Sequence, residues 1–370
     1  GVLHVFEAVQ KAREESRLAR KSFRQGFAAM VDTHLTYFLK ESKFTSANIR
    51  NYSRLPKEMR APHRPLRQAY TSLWDDFLAT SQAAGDIRSD IEVAPLRQFV
   101  LGAMNWTVEW YDTDRYPVST LSARMTKLLL DGMSAHRGAP LTVPPSSELH
   151  VEDLVEGNGS KASRTRAQIL LAAARIFRDH GYRAATMRDI ARKADMKAGS
   201  IYYHFNSKDE ILDEVLDIGL RAVIRGVSSA VSRKELFPDH RSRIAAAIRA
   251  HMEYLFHFSE FTSANIRTYG QLPEQLRARH RPIRRRYAQI WDACLRDARE
   301  AGELRPDIKV VPLRQVMLGA LNWTVEWFDP DKGERKGYYT LSELIAMLQR
   351  LLLDGLQHDS GPRVSNRPFC

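Results

Sequence analysis

At 370 residues the chain is long for one domain and suits two, and its 44% hydrophobic content supplies ample material for a core. It has no apolar run of about eighteen residues, so no membrane span is expected, and no signal-peptide pattern is visible at the N-terminus. Two cysteines, Cys294 and Cys370, make neither a disulfide framework nor a metal-ligand spacing, and a formal charge of +12 suits a polyanionic partner, so a protein of the reducing cytoplasm is expected.

Gly1 stands where a Met would begin a natural chain, which predicts a processed or truncated start. Residues 2–24 and 26–38 read as two helices. Then the sequence repeats itself: 44–50 (FTSANIR) recurs unchanged at 261–267. At the same spacing Tyr52 pairs with Tyr269, Trp74-Asp75 with Trp291-Asp292, and 95–98 (PLRQ) with 312–315. The six residues 105–110 (NWTVEW) match 322–327, and 128–132 (LLLDG) match 351–355 after a small insertion. The chain is two copies of one helical domain. Residues 134–162, rich in Pro, Gly, Ser and acid, read as a linker between them.

Residues 163–204 carry the most specific pattern. Thr186 is placed to N-cap a short helix, with Asp189 three residues on to complete the cap. Asp195 takes a turn that calls for left-handed backbone, and Met196 plugs it. Ala198-Gly199-Ser200 opens a second helix with almost no bulk. Ile201 and Phe205 point inward, leaving Lys197, Ser200, Tyr202, Tyr203 and His204 outward. This is the layout of a helix-turn-helix whose second helix enters the major groove; the competing reading is an ordinary helical hairpin with a solvated basic face. Further on, helices are expected over 227–237, 241–259, 282–301, 312–328 and 341–356, with no alternating run to argue for a sheet.

The run 198–205 (AGSIYYHF), followed by 207–212 (SKDEIL) and preceded by 163–191, resembles the signature of the TetR family of transcriptional regulators. Asp195 is a departure, since the family often has Gly there. The resemblance implies an all-α fold of tandem TetR-like units: 1–133 a C-terminal-type domain of the first unit, 134–162 linker, 163–208 the helix-turn-helix of the second, 209–358 its C-terminal-type domain, 359–370 a tail. The first copy begins within the counterpart of the long helix after the motif. Its own helix-turn-helix is therefore expected upstream of Gly1, removed or left out; the alternative is a protein that never carried one.

Family members usually dimerise through their last two long helices, so the resemblance implies an intramolecular pseudo-dimer built from 95–111, 121–132, 312–328 and 341–355, with a further homodimer open. It implies double-stranded DNA as partner. Thr186, Arg188 and Lys208 are then expected on phosphates, Tyr202, Tyr203 and His204 on the backbone, and Lys197, Ala198, Gly199 and Ser200 at base edges. Arg164 and Arg166 are either further DNA contacts or an ordinary solvated helix start.

It also implies an effector cavity between the C-terminal helices. Tyr254, Tyr269, Arg284, Tyr287, Trp291, Asn322, Trp323 and Trp327, with Asn105 and Trp106 of the first copy, are its candidate lining; the plain alternative is aromatics packed in a helical core. Arg277, Arg279, His280, Arg281, Arg284, Arg285 and Arg286 form either a solvated face or a phosphate clamp. The phrase 319–328 (GALNWTVEWF) is similar to the C-terminal domains of KstR-type regulators, which implies an acyl-CoA thioester as effector. No nucleophile elbow, phosphate loop or His/Cys ligand cluster is present, so no enzyme, cofactor or metal is expected. The expectation is a ligand-responsive DNA-binding regulator, a repressor released by its effector; the alternative is a ligand- or protein-binding module that has lost specific DNA binding.

Overall fold

The computed structural model describes residues 2–41, 57–112, 114–132, 141, 161–330 and 339–355. The first copy of the repeated heptad, Tyr52, nearly all of the linker and the 359–370 tail lie outside them. The described residues are helical, in two compact units. One unit holds α1 (Val2–Leu18), α2 (Phe23–Thr36), α3 (Arg64–Ala83), α4 (Val93–Asn105), α5 (Val118–Asp131), α12 (Val310–Trp323) and α13 (Leu341–Asp354). The other holds α6 (Lys161–His180), α7 (Met187–Lys193), α8 (Lys208–Ser232), α9 (His240–His257), α10 (Ser259–Thr268) and α11 (Glu274–Glu300) as far as Ala298. Among the described residues no helix is long and apolar enough to cross a membrane.

Several helix boundaries differ from the sequence expectation, each for a local reason. The first helix stops at Leu18 instead of reaching Arg24, because Arg20 turns left-handed (φ 50°) and Ser22 caps α2. The Ser22 hydroxyl accepts from the Gln25 N–H while the Gln25 side chain accepts from the Ser22 N–H, closing a capping box. No separate helix spans 227–237: α8 runs on to Ser232, and 233–237 is a turn that buries Phe237. The expected helix 241–259 breaks at Phe258 into α9 and α10. Helix α11 begins at Glu274 and carries Pro282, the expected first residue, inside it. Helix α6 starts at Lys161, two residues inside the expected linker.

The core of the first unit contains an aromatic cluster. Phe23, Phe27, Trp74 and Phe77 pack ring against ring between α2 and α3, with centroids 5.6–6.4 Å apart. Around it, α2 packs on α1 and α5, and α3 on α4. Helix α4 of the first repeat lies against α12 of the second. They meet in a reciprocal exchange. A Cβ on Gly102 would stand 2.6 Å from Trp323, and a Cβ on Gly319 would stand 2.8 Å from Trp106. Each glycine is thus the seat of the other repeat's tryptophan.

The flanks of this pairing are reciprocal too. Lys127 binds Asp307 at 2.7 Å and Arg350 binds Asp90 at 2.7 Å. Arg305 binds Asp131 at 3.0 Å, while Arg88 donates to the Gly355 carbonyl at 3.3 Å. Arg88 also pairs with Asp90, and that hydrogen bonding is the main reason the Asp90 carboxyl lies below the usual carboxylate range.

Gly102→Ala tests the exchange directly. In an exposed helix interior that change stabilises by about 1 kcal/mol. Here we expect a net loss of about 1–3 kcal/mol from overpacking against Trp323, and more for the double change with Gly319→Ala. Urea denaturation that showed either alanine to be stabilising would contradict the packing.

Candidate nucleic-acid interface and effector cavity

In the second unit, α6, α7, the turn Ala198–Tyr203 and the start of α8 share one apolar core. Ile169, Leu170, Ala173, Phe177, Ile190, Ile201, Phe205 and Ile211 are buried in it, and Met187, Met196 and Tyr182 pack on its margin. Thr186 caps α7: its hydroxyl accepts from the Asp189 N–H at 3.1 Å and donates to the Asp189 carboxylate at 2.6 Å. That donated bond is the first reason the Asp189 carboxyl is held below its ordinary range. Asp195 takes φ 56° as the turn requires, and the Met196 N–H closes back on the Ala191 carbonyl at 2.9 Å.

The second element of the motif is a six-residue 3-10 helix, where the sequence predicts a regular one. It presents the expected face. Lys197, Ala198 and Gly199 are exposed, as are Tyr202 (56%) and Tyr203 (89%); Ser200 and His204 are half-buried. Thr186 and Arg188 are exposed at the front of α7, and Arg164 is exposed on α6.

Two cations turn inward instead. Lys208 Nζ donates to the carbonyls of Tyr182 (2.9 Å) and Ala185 (2.8 Å) and sits 4.4 Å from the Tyr182 ring centre. Arg166 lies over the Phe205 ring at 3.9 Å, donates to the His204 carbonyl at 2.6 Å and pairs with Glu214. Both staple the second element and the loop before α7 to the helices behind them. The Tyr182 hydroxyl bonds Asp209, and burial first, then that bond, raises its pKa to about 12.

The expected effector residues divide between the two units. In the second unit Trp291 is fully buried, edge-on to Tyr287 and His251. The Tyr287 hydroxyl lies 2.6 Å from His251 Nδ1, and burial raises the Tyr287 pKa beyond its ordinary range. Arg284 lies 3.5 Å over the Tyr269 ring and donates to the Asn265 side chain at 3.2 Å. Tyr254 is buried against Phe258. Of the arginine series on α11, Arg277 and Arg281 pair with Glu274, Arg279 and His280 meet Asp213, and Arg285 and Arg286 are exposed. Four members of the expected clamp are thus paired with carboxylates.

In the first unit Asn105, Trp323 and Trp327 come together around a cavity of about 290 Å³. Asn322 is half-buried beside Trp323, and Trp106 packs on Gly319. The remaining wall comes from Val2, Val5, His34, Arg67, Tyr70, Thr71, Arg97, Gln98, Leu101 and Glu326. The sequence reading misses His34. Its signal is the repeat itself: His34 and Tyr70 stand 36 residues apart, as do His251 and Tyr287, and both pairs bond through Nδ1 and the phenol. Arg97 donates to Asp75 at 2.7 Å. Burial pushes the His34 pKa down to about 4, against a raising influence from the Asn105 side chain.

Three comparisons bear on this arrangement. The family model "Bacterial regulatory proteins, tetR family" matches residues 169–215. The model "Tetracyclin repressor-like, C-terminal domain" matches twice, over 20–133 and 238–356. The chain is 27% identical over 208 residues to the HTH-type transcriptional repressor KstR2 of Rhodococcus jostii, covering 53% of this chain and 93% of that protein. To the HTH-type transcriptional activator FasR of Mycolicibacterium smegmatis it is 35% identical over 104 residues, 28% of this chain and 46% of that one. Among solved structures it is similar to the TetR family regulator PfmR of Thermus thermophilus, at 27% identity and a TM-score of 0.45, covering 51% of this chain and 99% of that one.

Two outcomes follow. Lys208→Met should cost about 1–2 kcal/mol by removing charged hydrogen bonds, seen as faster amide exchange in the 180–186 loop, whereas Tyr203→Ala should leave stability within about 0.5 kcal/mol. His34 gives a pH signature. The unfolded ring takes a proton near pH 6.5 and the folded ring resists it until about pH 4. Its contribution is therefore present above pH 6.5 and lost as pH falls through that window, by at most about 3 kcal/mol. Thermal unfolding of His34→Gln should fall less steeply between pH 6.5 and about 4 than that of the unaltered chain.

Proposed function

The chain belongs to the TetR family of transcriptional regulators, and from that premise we propose that it is a ligand-responsive repressor whose two repeats form an intramolecular pseudo-dimer. The observation that carries the DNA-binding part is the second element of the helix-turn-helix. Ile201 and Phe205 anchor it to the core while Lys197, Ala198, Gly199, Tyr202 and Tyr203 face solvent. With Ala198 and Gly199 at the leading edge, the backbone can approach a groove floor closely. Lys197 can reach guanine acceptors, and the two tyrosines can lie along the phosphates. Lys208 and Arg166 act by holding that surface in shape, and Arg188, exposed at the front of α7, is placed to meet a phosphate.

The pseudo-dimer reading is supported by the reciprocity of the α4–α12 pairing, since an isologous interface places the same residues on both sides. Gly102 and Trp106 meet Trp323 and Gly319, and Lys127–Asp307 mirrors Arg350–Asp90. In the family's mechanism two heads held about one helical turn apart (roughly 34 Å) bind successive major grooves. An effector releases DNA to the extent that it binds the non-fitting state more tightly. The cavity of about 290 Å³ is at the small end of ligand sites, and of an acyl-CoA thioester it suits the acyl portion.

Binding of the whole chain to DNA from around its own gene, with and without acyl-CoA thioesters, tests this reading. Lys197→Ala should lower the preference for the operator by about 1–3 kcal/mol while leaving nonspecific binding in place. Tyr203→Ala should weaken all sequences together. Binding no tighter than the salt-sensitive background would transfer the function to a ligand- or protein-binding module.

A further inference from the structure

The cavity of the first unit carries two buried polar atoms without a hydrogen-bond partner among the described residues, His34 Nε2 and Asn105 Oδ1. The residues are 2% and 9% exposed. Asn105 is near enough to raise the His34 pKa, yet no hydrogen bond joins the two atoms. An orphaned buried donor or acceptor costs about 1–3 kcal/mol, so two of them on one cavity wall call for a partner that satisfies both.

The state of the ring narrows that partner. Burial holds the Tyr70 phenol protonated, 2.5 Å from His34 Nδ1. Of this pair the phenol is the stronger donor and the imidazole nitrogen the stronger acceptor. The Tyr70 O–H is then the donor to Nδ1, and the imidazole proton resides on Nε2. The cavity thus presents one orphan donor, Nε2–H, and one orphan acceptor, the Asn105 carbonyl. A hydroxyl satisfies both at once: its oxygen accepts from Nε2–H and its hydrogen goes to Oδ1. By area the wall is chiefly apolar, although Arg67, Thr71, Arg97, Gln98 and Glu326 also line it. Val5 and Leu101 come from the first repeat, Trp323 and Trp327 from the second.

We propose that this cavity is a small-molecule site built jointly by the two repeats, taking a compact apolar ligand that carries a hydroxyl group. The hydroxyl stands between His34 and Asn105, and the apolar body lies on Trp323 and Trp327. The inference rests on the ligand-responsive reading above for its use, and it adds the chemical class of the ligand and the contribution of both repeats. A site whose buried polar atoms match a hydroxyl discriminates strongly against the analogue lacking it.

The test is calorimetric titration of the whole chain with 2-naphthol and with 2-methylnaphthalene, a pair of similar shape that differs in the hydroxyl. We expect 2-naphthol to bind about tenfold tighter or better, the worth of two neutral hydrogen bonds. His34→Phe and Asn105→Leu should each reduce that preference to about threefold or less while 2-methylnaphthalene still binds. Trp327→Ala should weaken both compounds. His34→Gln, which keeps a polar wall, guards against a folding defect, with near-ultraviolet circular dichroism checked for every variant. Equal binding of the two compounds, a preference that survives both His34→Phe and Asn105→Leu, no binding of either compound, or indifference to Trp327→Ala would overturn the proposal. The failure of the broader reading looks different. If 2-naphthol passes these tests and DNA affinity does not change, the site stands and ligand-controlled release through it is wrong. If neither compound binds but an acyl-CoA thioester releases DNA, the release mechanism stands and this site is wrong.

Discussion

The first unit depends on two tryptophans that each lie where a side chain of the opposite repeat would otherwise be. Trp106 and Trp323 fit only because Gly319 and Gly102 have no Cβ. Contact between bare backbone and a large ring brings α4 and α12 close over a length that aliphatic side chains would hold apart. The rest of the unit follows from that closeness. Gly132 and Gly355 sit against each other at the C-terminal ends of α5 and α13. Asp131 is reached by Arg24 of its own repeat and by Arg305 of the other. The cavity wall is completed by residues at and just past the end of α12, because the helix is close enough for Trp323 and Trp327 to share a cavity with His34 and Asn105.

The helix-turn-helix shows a different division of labour among charged residues. A basic surface suggests that every cation faces DNA, yet Lys208 and Arg166 are directed at carbonyls and rings within the domain. The reason lies in the shortness of the second element. Six residues of 3-10 helix cannot support themselves, since helices of that length are marginal in water. Ile201 and Phe205 hold it from below, and Arg166 holds the His204 carbonyl at its C-terminal end from the side. The residues left outward need no structural role and can be chosen for recognition.

Much of this was legible in the sequence. The Thr186 cap, the left-handed Asp195 and the inward Ile201 and Phe205 follow from residue type and spacing, because each is a local requirement with few chemical solutions. The repeat was legible because identical residues recur at a fixed spacing. What could not be read was set by distant partners. Lys208 resembles a phosphate ligand until the carbonyls of Tyr182 and Ala185 are seen beside it. Pro282 reads as a helix start because a proline normally is one, yet α11 runs through it. His34 looks like one more scattered histidine, and its significance comes from Tyr70 on another helix. The candidate cavity residues were drawn mostly from the second repeat, whereas the cavity wall draws on both.

Joining two like halves in one chain changes what a mutation can do. In a symmetric assembly of separate subunits, every substitution at the interface appears twice and faces its own copy. Here a change in one repeat leaves the other as it was, so the two sides are free to drift apart. The drift is visible: Lys127 answers Asp307 on one flank while Arg350 answers Asp90 on the other. Arg305 reaches a carboxylate where Arg88, its counterpart, reaches a backbone carbonyl. A gene of this form can explore unequal halves that a symmetric dimer could reach only by duplication.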